Sequence, residues 1–504
     1  MNGAYFSLIV WTHDTNMDQF KDMLESIDEQ EYREFELYIL DDNPTNTIEV
    51  TIKEFFPDIV DKVHYRRLKK KVGGAYALNV GAHFAEGDNL VFIGQHDRLS
   101  YHTLKAINEK IDELKGIIVD EDGNRNVIET ALKDTLSDNS YIIYADHDEL
   151  IGLDRRNPHF KTGFNKELLL QTNYIGDFLC ISKEAFKKLG TFNEKAKYAY
   201  VYEYLLRACF KKIPIEHIPY LLYHKRTSDK MMTKEERKAA NYSGKEHLAL
   251  ALSYLRQSGV LCDGRVDPSL KKWHIEYDDS SFRRFSGDYK FIKEENVQFI
   301  TRNNAKKMYA YLSQPDVAVV GIRFLGRGFT YDNAGYIVSE DGSQYPAFHG
   351  QRIFRDTYEG LGSMARDVST VDGACCMIDA KVFRMLRGFD TSLTGEDALL
   401  DFCLRARARG FRTVVVPKCV ARYKNRPERA VEKQEPKSEK EQENELENQS
   451  EEAVENENFG TKKISPVHAR LMEKHGDLIE KGDRFYNKNL PLGMDNFILP
   501  GTGE

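Results

Sequence analysis

Several polar clusters in this chain have the residue types that ligand binding and proton transfer require. Asp41 and Asp42 close the apolar run Phe35–Leu40. A carboxylate there can accept hydrogen bonds from a ligand N–H or hydroxyl, or it can cap the Asp-Asn-Pro turn that follows. Thr12 and Asp14 close the run Tyr5–Trp11, and Gln95-His96-Asp97-Arg98 follows Asn89–Gly94. Hard carboxylate oxygens hold Mg²⁺ or Mn²⁺ against anionic oxygens, and an arginine such as Arg98 can neutralise an anion directly. Asp146-His147-Asp148, taken alone, has the spacing of a second metal-binding carboxylate pair. Glu203 and the pair Glu396-Asp397 are acids able to take a proton from a hydroxyl. His224 suits either a ligand or a hydrogen-bonded structural histidine.

These residues need elements to position them. Met17, Phe20, Met23, Leu24 and Ile27 fall on one helical face after the first apolar run. A helix over Ile48–Phe56, a strand over Val63–Arg66 and a small-residue helix opened by Gly73-Gly74 and running through Asn79 to Phe84 are predicted next. Strands alternating with helices across short connections indicate a parallel sheet covered by helices. Ligands of such sheets sit beyond the carboxyl ends of the strands. Thr12, Asp14, Asp41, Asp42 and Asp97 are therefore expected to face one cleft.

At 504 residues the chain is too long for one core, and two or three domains are expected. Apolar residues make up 41%, with 27 Tyr and 28 Phe, which supports burial rather than disorder. The net charge of −8 is concentrated: Glu428 to Glu457 holds twelve Glu against four Lys/Arg, a surplus of eight that leaves the remainder neutral. A neutral body argues against a nucleic-acid partner. Seven scattered cysteines with no C-x-x-C pair read as reduced thiols, and Cys375-Cys376 as packing residues. No apolar run approaches the ~20 residues that span a bilayer, and the start Met1–Tyr5 lacks a basic leader. A cytoplasmic location is expected, with peripheral contact at the inner face of the membrane left open.

Between Tyr141 and Arg226 the chain reads Tyr-Ile-Ile-Tyr-Ala-Asp-His-Asp-Glu-Leu, then Asn-Pro-His-Phe-Lys, then Leu-Leu-Leu-Gln-Thr-Asn-Tyr-Ile-Gly, and closes with Glu-His-Ile-Pro-Tyr-Leu-Leu-Tyr-His-Lys-Arg. This ordered series resembles the family 2 glycosyltransferases, in particular the tandem-domain branch that builds bacterial surface polysaccharides of the O-antigen and rhamnan type. The resemblance implies an α/β fold with a GT-A-like (Rossmann-like) nucleotide-sugar-binding domain over residues 1–226. A helical connector over 227–264 leads to a second unit, 265–426, whose segments Asp316–Gly321, Asn333-Ala334-Gly335, Asp367–Cys376, Gly388-Phe389-Asp390 and Asp401–Arg405 resemble the second transferase domain of the same branch. Only about 50 residues separate Arg265 from Asp316, about half of what a nucleotide-binding half needs, so this unit is expected to be a truncated GT-A-like domain. Both units carry a Gly-Phe or Gly-Thr-Phe turn followed by an acidic stretch and a Leu-Arg or Leu-x-Arg segment, weak internal repetition consistent with duplication. Residues 427–460 read as an acidic disordered insertion, and 461–504 as a C-terminal tail packing on the second domain.

By the same resemblance, Thr12, Asp14, Asp41, Asp42, Gly73, Gly74, Asn79 and Arg98 are the expected nucleotide-sugar contacts. The family places an Asp-x-Asp metal motif where this chain has Gln95-His96-Asp97. A Mn²⁺ or Mg²⁺ site built on Asp97, with help from Gln95 and His224, is then expected to be weak or lost. Asp146 and Asp148 fall to the acceptor side or to structural hydrogen bonding. Counting back from Leu206-Arg207, the family's general-base position falls on Val201, leaving Glu203 as the substitute acid and Glu396-Asp397 as the second unit's base pair. The implied activity is inverting transfer of a sugar from a nucleotide-diphosphate donor to a growing surface polysaccharide, glycan or lipid-linked glycan, alongside partner glycosyltransferases. The alternative is a degenerate transferase that binds nucleotide sugar, glycan or a partner enzyme without turnover, which Gln95 and Val201 favour.

Overall fold

The computed structural model describes residues 3–119, 125–127, 138–227, 234–267, 272–284, 286–425, 466–493 and 496–499. The acidic segment 427–460 lies outside the described residues.

The first unit is built from β1 (Phe6–Thr12), α1 (Met17–Asp28), β2 (Phe35–Asp41), α2 (Thr47–Phe55), β3 (Val63–Arg67), α3 (Gly74–Phe84), β4 (Asn89–Gly94), β5 (Arg98–Leu99) and α4 (Thr103–Leu114). A small hairpin, β6 (Ile117–Val119) and β7 (Arg125–Val127), precedes β8 (Ile142–Ile151), β9 (Asp154–His159), α5 (Lys166–Leu169), β10 (Leu179–Ser182), α6 (Lys183–Leu189), α7 (Tyr200–Phe210) and β11 (Ile215–Arg226). The main sheet runs β3-β2-β1-β4-β10-β8-β11-β5, with β9 added to β8. β3, β2, β1 and β4 are parallel, β10 is antiparallel to both neighbours, and β8 and β11 are parallel. β1 and β2 are near-continuous apolar runs because both faces of a central parallel strand are covered. Leu8 and Val10 face Phe20, Met23 and Leu24 of α1, while Ile9 and Leu40 face α3. Small residues in α3 let it pack close: a Cβ on Gly81 would stand 2.5 Å from Ile9 Cγ2. Asn16 caps α1, its side chain accepting from the Asp18 and Gln19 amides.

Helix α8 (Lys234–Gln257) leads to the second unit: β12 (Cys262–Val266), β13 (Trp273–Tyr277), β14 (Tyr289–Lys293), β15 (Val297–Phe299), α9 (Asn304–Leu312), β16 (Val317–Leu325), β17 (Tyr331–Asn333), β18 (Tyr336–Val338), β19 (Gln344–Pro346), β20 (Arg366–Asp367), β21 (Cys375–Asp379), α10 (Ala380–Met385), α11 (Gly395–Arg407) and β22 (Arg412–Tyr423). Its sheet runs β14-β21-β16-β22-β15. That order matches β4-β10-β8-β11-β5 of the first unit strand for strand and in every pairing sense. The helix pairs repeat too. Arg207 of α7 binds Glu203 and the Leu189 and Thr191 carbonyls, and Arg405 of α11 binds Asp401 and the Leu386 and Gly388 carbonyls. No strands corresponding to β1–β3 join the second sheet among the described residues, and β14 is its edge.

A buried seam joins the units. Arg412, at the start of β22, reaches Asp316 (2.9 Å), Asp367 (2.8 Å), Glu167 of α5 (3.3 Å) and Gln314 (3.0 Å), with 11% of its side chain exposed. Lys166 closes the network on Asp316 at 2.6 Å. Tyr277 donates to Glu167, and Trp273 Nε1 to the Leu170 carbonyl. The C-terminal segment, expected to pack on the second domain, also touches the first unit. Lys474 and His475 of the helix Pro466–Ile479 bind Asp401 of α11, and farther on Asn487 Nδ2 donates to Asp146 and the Lys161 carbonyl of the first unit.

Removing one member of a nearly buried ion network leaves its partners uncompensated. Arg412→Met should therefore lower unfolding free energy by ~3–5 kcal/mol in denaturant titrations. Burial alone would raise the Asp316 carboxyl, but Arg412 and Lys166 overcome it and hold it well below the usual range. Asp401 is likewise held low, its burial overcome by His475, Arg405 and Lys474. Groups depressed in the folded state lend stability above the unfolded carboxylate range and lose it as pH falls. The melting temperature should hold near neutrality and drop below about pH 4.

Candidate active site

The carboxyl ends of β1, β2 and β4 converge as expected, since β1 lies between the other two. The two aspartates after β2 differ. Asp41 is fully buried, and its oxygens accept from Thr12 Oγ1 (2.9 Å), the Asn43 amide and side chain, and the Tyr65 hydroxyl (2.7 Å). It is saturated, and with Thr12 it braces the turn rather than facing a ligand. Asp42 is 6% exposed; one oxygen accepts from Trp11 Nε1 (3.2 Å) and the Val72 amide (3.0 Å), while Oδ1 has no hydrogen-bond partner. A buried carboxylate oxygen with no partner is costly, and a ligand N–H or hydroxyl would satisfy it. The floor beside it is the Trp11 ring, stacked on His13 at 3.7 Å between centroids, and the start of α3. Gly74 is required there, because a Cβ would stand 2.7 Å from the Tyr200 hydroxyl and 2.9 Å from Trp11. Gly73 N-caps the same helix with open space around it. Asp14 is exposed and paired with Lys71 at 2.7 Å across the rim.

Other expected contacts are committed elsewhere. Gln95 Oε1 accepts from the His13 amide (3.0 Å) and Thr15 Oγ1 (2.7 Å), and Nε2 donates to the His13 carbonyl (2.8 Å). Both lone pairs of that carbonyl are used, so Gln95 ties two loops together instead of offering a metal ligand. Asp97 accepts from the Tyr223 hydroxyl and from the Arg226 amide at 2.8 Å. Burial pushes its carboxyl up, partly offset by those two donors. Arg98 turns toward α1, 3.5 Å from Glu25 and 3.9 Å from Glu29, away from a phosphate in the cleft. His224 Nδ1 is 2.7 Å from Asp148, whose other oxygen accepts from Arg155. No group of three His, Cys, Asp or Glu among the described residues is arranged to hold a metal ion. One occupied carboxylate beside a committed amide does not fit a divalent site built by the protein.

The expected bases are closed off as well. Asp146 is fully buried beneath His217, the Lys161 amide and Asn487. Glu203 is clamped by Arg207 and the Tyr254 hydroxyl. Overlaying α7 on α11 through Arg207 and Arg405 sets Glu396-Asp397 opposite Tyr198-Ala199 rather than Val201, and neither of those positions carries a carboxylate. Glu396 and Asp397 begin α11, where Asp397 contacts Gln344 and His468 of the C-terminal helix. Asn79 joins α3 to the Phe192 backbone through both ends of its amide.

Two features escaped sequence reasoning. One is the run Arg66-Arg67-Leu68-Lys69-Lys70-Lys71 leaving β3 for α3, five cations in six residues with Lys71 at the cleft rim; its signal was visible directly before Gly73-Gly74. The other is a cavity of about 610 Å³ between the units, lined by His147, Glu149, His159, Lys161 and Lys225 of the first and by Asp356–Leu361 of the second. Lys161 is pushed down to about 8 by burial, and its ammonium donates to the Ala145 and Ile175 carbonyls. His147 is held uncharged by burial and by nearby Lys161, His159 and Lys225.

A mixed sheet whose parallel strands β1, β2 and β4 end beside Asp42 and a glycine-started helix has the architecture of the GT-A type. Residues 7–190 match the model of glycosyl transferase family 2. The O-antigen biosynthesis protein RfbC of Myxococcus xanthus is 21% identical over 490 residues, covering 81% of this chain and 36% of its own. An uncharacterised protein of Sinorhizobium fredii is 22% identical over 505 residues, covering 82% and 52%. The chain thus spans about half or less of the length of these relatives. Among solved structures, residues 1–349 of TarS from S. aureus in complex with UDP-GlcNAc are 16% identical with a TM-score of 0.35, covering 50% of this chain and 73% of that one. The mannosyltransferase PcManGT from Pyrobaculum calidifontis, in complex with GDP-Man and Mn²⁺, is 15% identical with a TM-score of 0.36, covering 54% and 68%.

Overpacking at a closed contact costs ~1–3 kcal/mol. Gly74→Ala should lower stability by about that amount in thermal or denaturant melts by driving Trp11 and Tyr200 apart.

Proposed function

We propose that the first unit transfers a sugar from a nucleotide-diphosphate donor to a growing bacterial surface polysaccharide, with inversion at the anomeric carbon. The observation that carries this reading is the partnerless Asp42 oxygen beside Trp11 and Gly74, within the stretch that matches the family 2 glycosyltransferase model. Asp42 accepts from the nucleoside, through a base N–H or a ribose hydroxyl. The ribose and diphosphate follow the start of α3, where Lys69, Lys70 and Lys71 supply positive charge. Asp97 lies across β1 from Asp42, so the sugar points from the diphosphate toward the cavity between the units. The acceptor hydroxyl enters from that cavity and displaces the diphosphate in line, which inverts the centre. Similarity to an O-antigen biosynthesis protein supports a polysaccharide acceptor, free or lipid-linked. No helix among the described residues is long and apolar enough to cross a membrane, and we place the transferase at the cytoplasmic face, where nucleotide sugars are made.

A second reading, binding without turnover, is favoured by the enclosure of Glu203 and Asp146. A thermal-shift panel of UDP-, GDP-, dTDP- and CDP-sugars, followed by assay of nucleotide diphosphate release from any binder, separates the two. Donor-specific stabilisation and release are expected. In isothermal titration, Asp42→Asn should weaken the selected donor by roughly 10-fold, the scale of one hydrogen bond to a charged group. Replacing Lys69, Lys70 and Lys71 with alanine should weaken it further and flatten its salt dependence.

A further inference from the structure

With Glu203 and Asp146 enclosed and no carboxylate at Tyr198-Ala199, the first unit's own helices supply no base for the acceptor hydroxyl. The cavity between the units does. Strand register sets Tyr223 of β11 beside His147 of β8, and His147 beside His159 of β9, in one row across the sheet. The Tyr223 hydroxyl binds Asp97 at one end of the row. At the other, His159 stacks on His147 with centroids 4.4 Å apart and planes within 5°. Adjacent strands are ~4.8 Å apart, which sets the His159 backbone about 10 Å from that of Tyr223, with His147 between them.

His159 stands between two carboxylates, one from each unit. Its Nδ1 is 2.9 Å from Glu359 of the second unit, and its Nε2 is 3.9 Å from Glu149 of β8. Glu359 sits in the turn after Thr357 with φ 50°, followed by Gly360 at φ 70°; backbone in this left-handed region projects the turn at the first unit. The Tyr358 hydroxyl anchors that turn through the Phe160 amide and the Pro158 carbonyl. Several of the other titratable groups around the row already have partners. Lys161 donates to two carbonyls, Lys225 pairs with Asp177 at 3.0 Å, Asp148 is shared by His224 and Arg155, and His147 stays uncharged.

We propose that His159 is the general base of the transfer and that Glu359, contributed by the truncated second unit, is its positioning residue. This rests on the donor reading above. With its proton on Nδ1, drawn there by the Glu359 carboxylate 2.9 Å away, His159 keeps the Nε2 lone pair for the acceptor. As the acceptor oxygen bonds to the anomeric carbon, the bond from that carbon to the diphosphate oxygen breaks and its electron pair leaves with the nucleotide diphosphate. The hydroxyl proton passes to Nε2. The resulting imidazolium lies between Glu149 and Glu359 and returns its proton to solvent after product leaves. An orienting carboxylate on a histidine base acts in this way generally.

The test uses the full chain and whichever donor the sugar-nucleotide panel selects, reading donor Kd by titration and kcat by nucleotide diphosphate release. His159→Gln and His159→Asn, checked for folding by thermal melts, should lower kcat by about 100-fold or more and leave donor Kd unchanged. Glu359→Gln should cost less, about 10-fold, and change the acid limb of the kcat–pH profile, which a merely structural role would not move. A His159 variant that keeps the parent's kcat overturns the proposal. So does a Glu359→Gln variant more damaged than His159→Gln, which would make Glu359 itself the base, and so does a parent that binds donor yet releases no nucleotide diphosphate. If no donor binds at all, the failure belongs to the donor reading, and this proposal falls with it.

Discussion

The arrangement depends on the charged seam between the two sheets. Arg412 gathers Asp316, Asp367 and Glu167 around one guanidinium, and Glu167 belongs to the other unit. Burial raises the Glu167 carboxyl despite the neighbouring arginine, while Arg412 and Lys166 hold the Asp316 carboxyl low. The consequence of the seam is positional: with the sheets locked, the turn at Tyr358–Gly360 is pressed onto Pro158, His159 and Phe160 of the first unit.

The second unit repeats the strand order of one half of the first unit's sheet. It repeats β4, β10, β8, β11 and β5 with their helix pair, down to the arginine that caps two carbonyls and grips a carboxylate four residues earlier. Nothing equivalent to β1–β3 joins it among the described residues. It can still wall the first unit's cleft, and its C-terminal segment reinforces that role by carrying Asn487 onto Asp146.

The framework was legible because its elements are local. β1, β2 and β4 are apolar runs ended by polar residues, and α3 is a small-residue helix opened by Gly73-Gly74, so the strand ends could be listed in order. The fate of each polar group was not legible, since it depends on partners far away in sequence. Asp41 is saturated through Tyr65 of the neighbouring strand, whereas Asp42 keeps one oxygen open. Gln95 is consumed by a loop about 80 residues earlier. Glu203 is a partial exception, because a glutamate four residues before Arg207 is the spacing of an intrahelical pair. The pairing of His159 with Glu359, across 200 residues, left no local trace.

The central claim is that donor nucleoside, diphosphate and sugar lie along a line from Asp42, past Asp97, into the cavity between the units. A structure of the full chain with the donor that the binding panel selects, soaked as a non-transferable analogue, measures this directly. The account predicts a nucleoside donor atom within hydrogen-bond distance, about 3 Å, of Asp42 Oδ1, with the sugar in the cavity walled by His159 and Glu359. A nucleoside bound away from Asp42, or a sugar turned out to solvent past the Asp14–Lys71 rim, would contradict it.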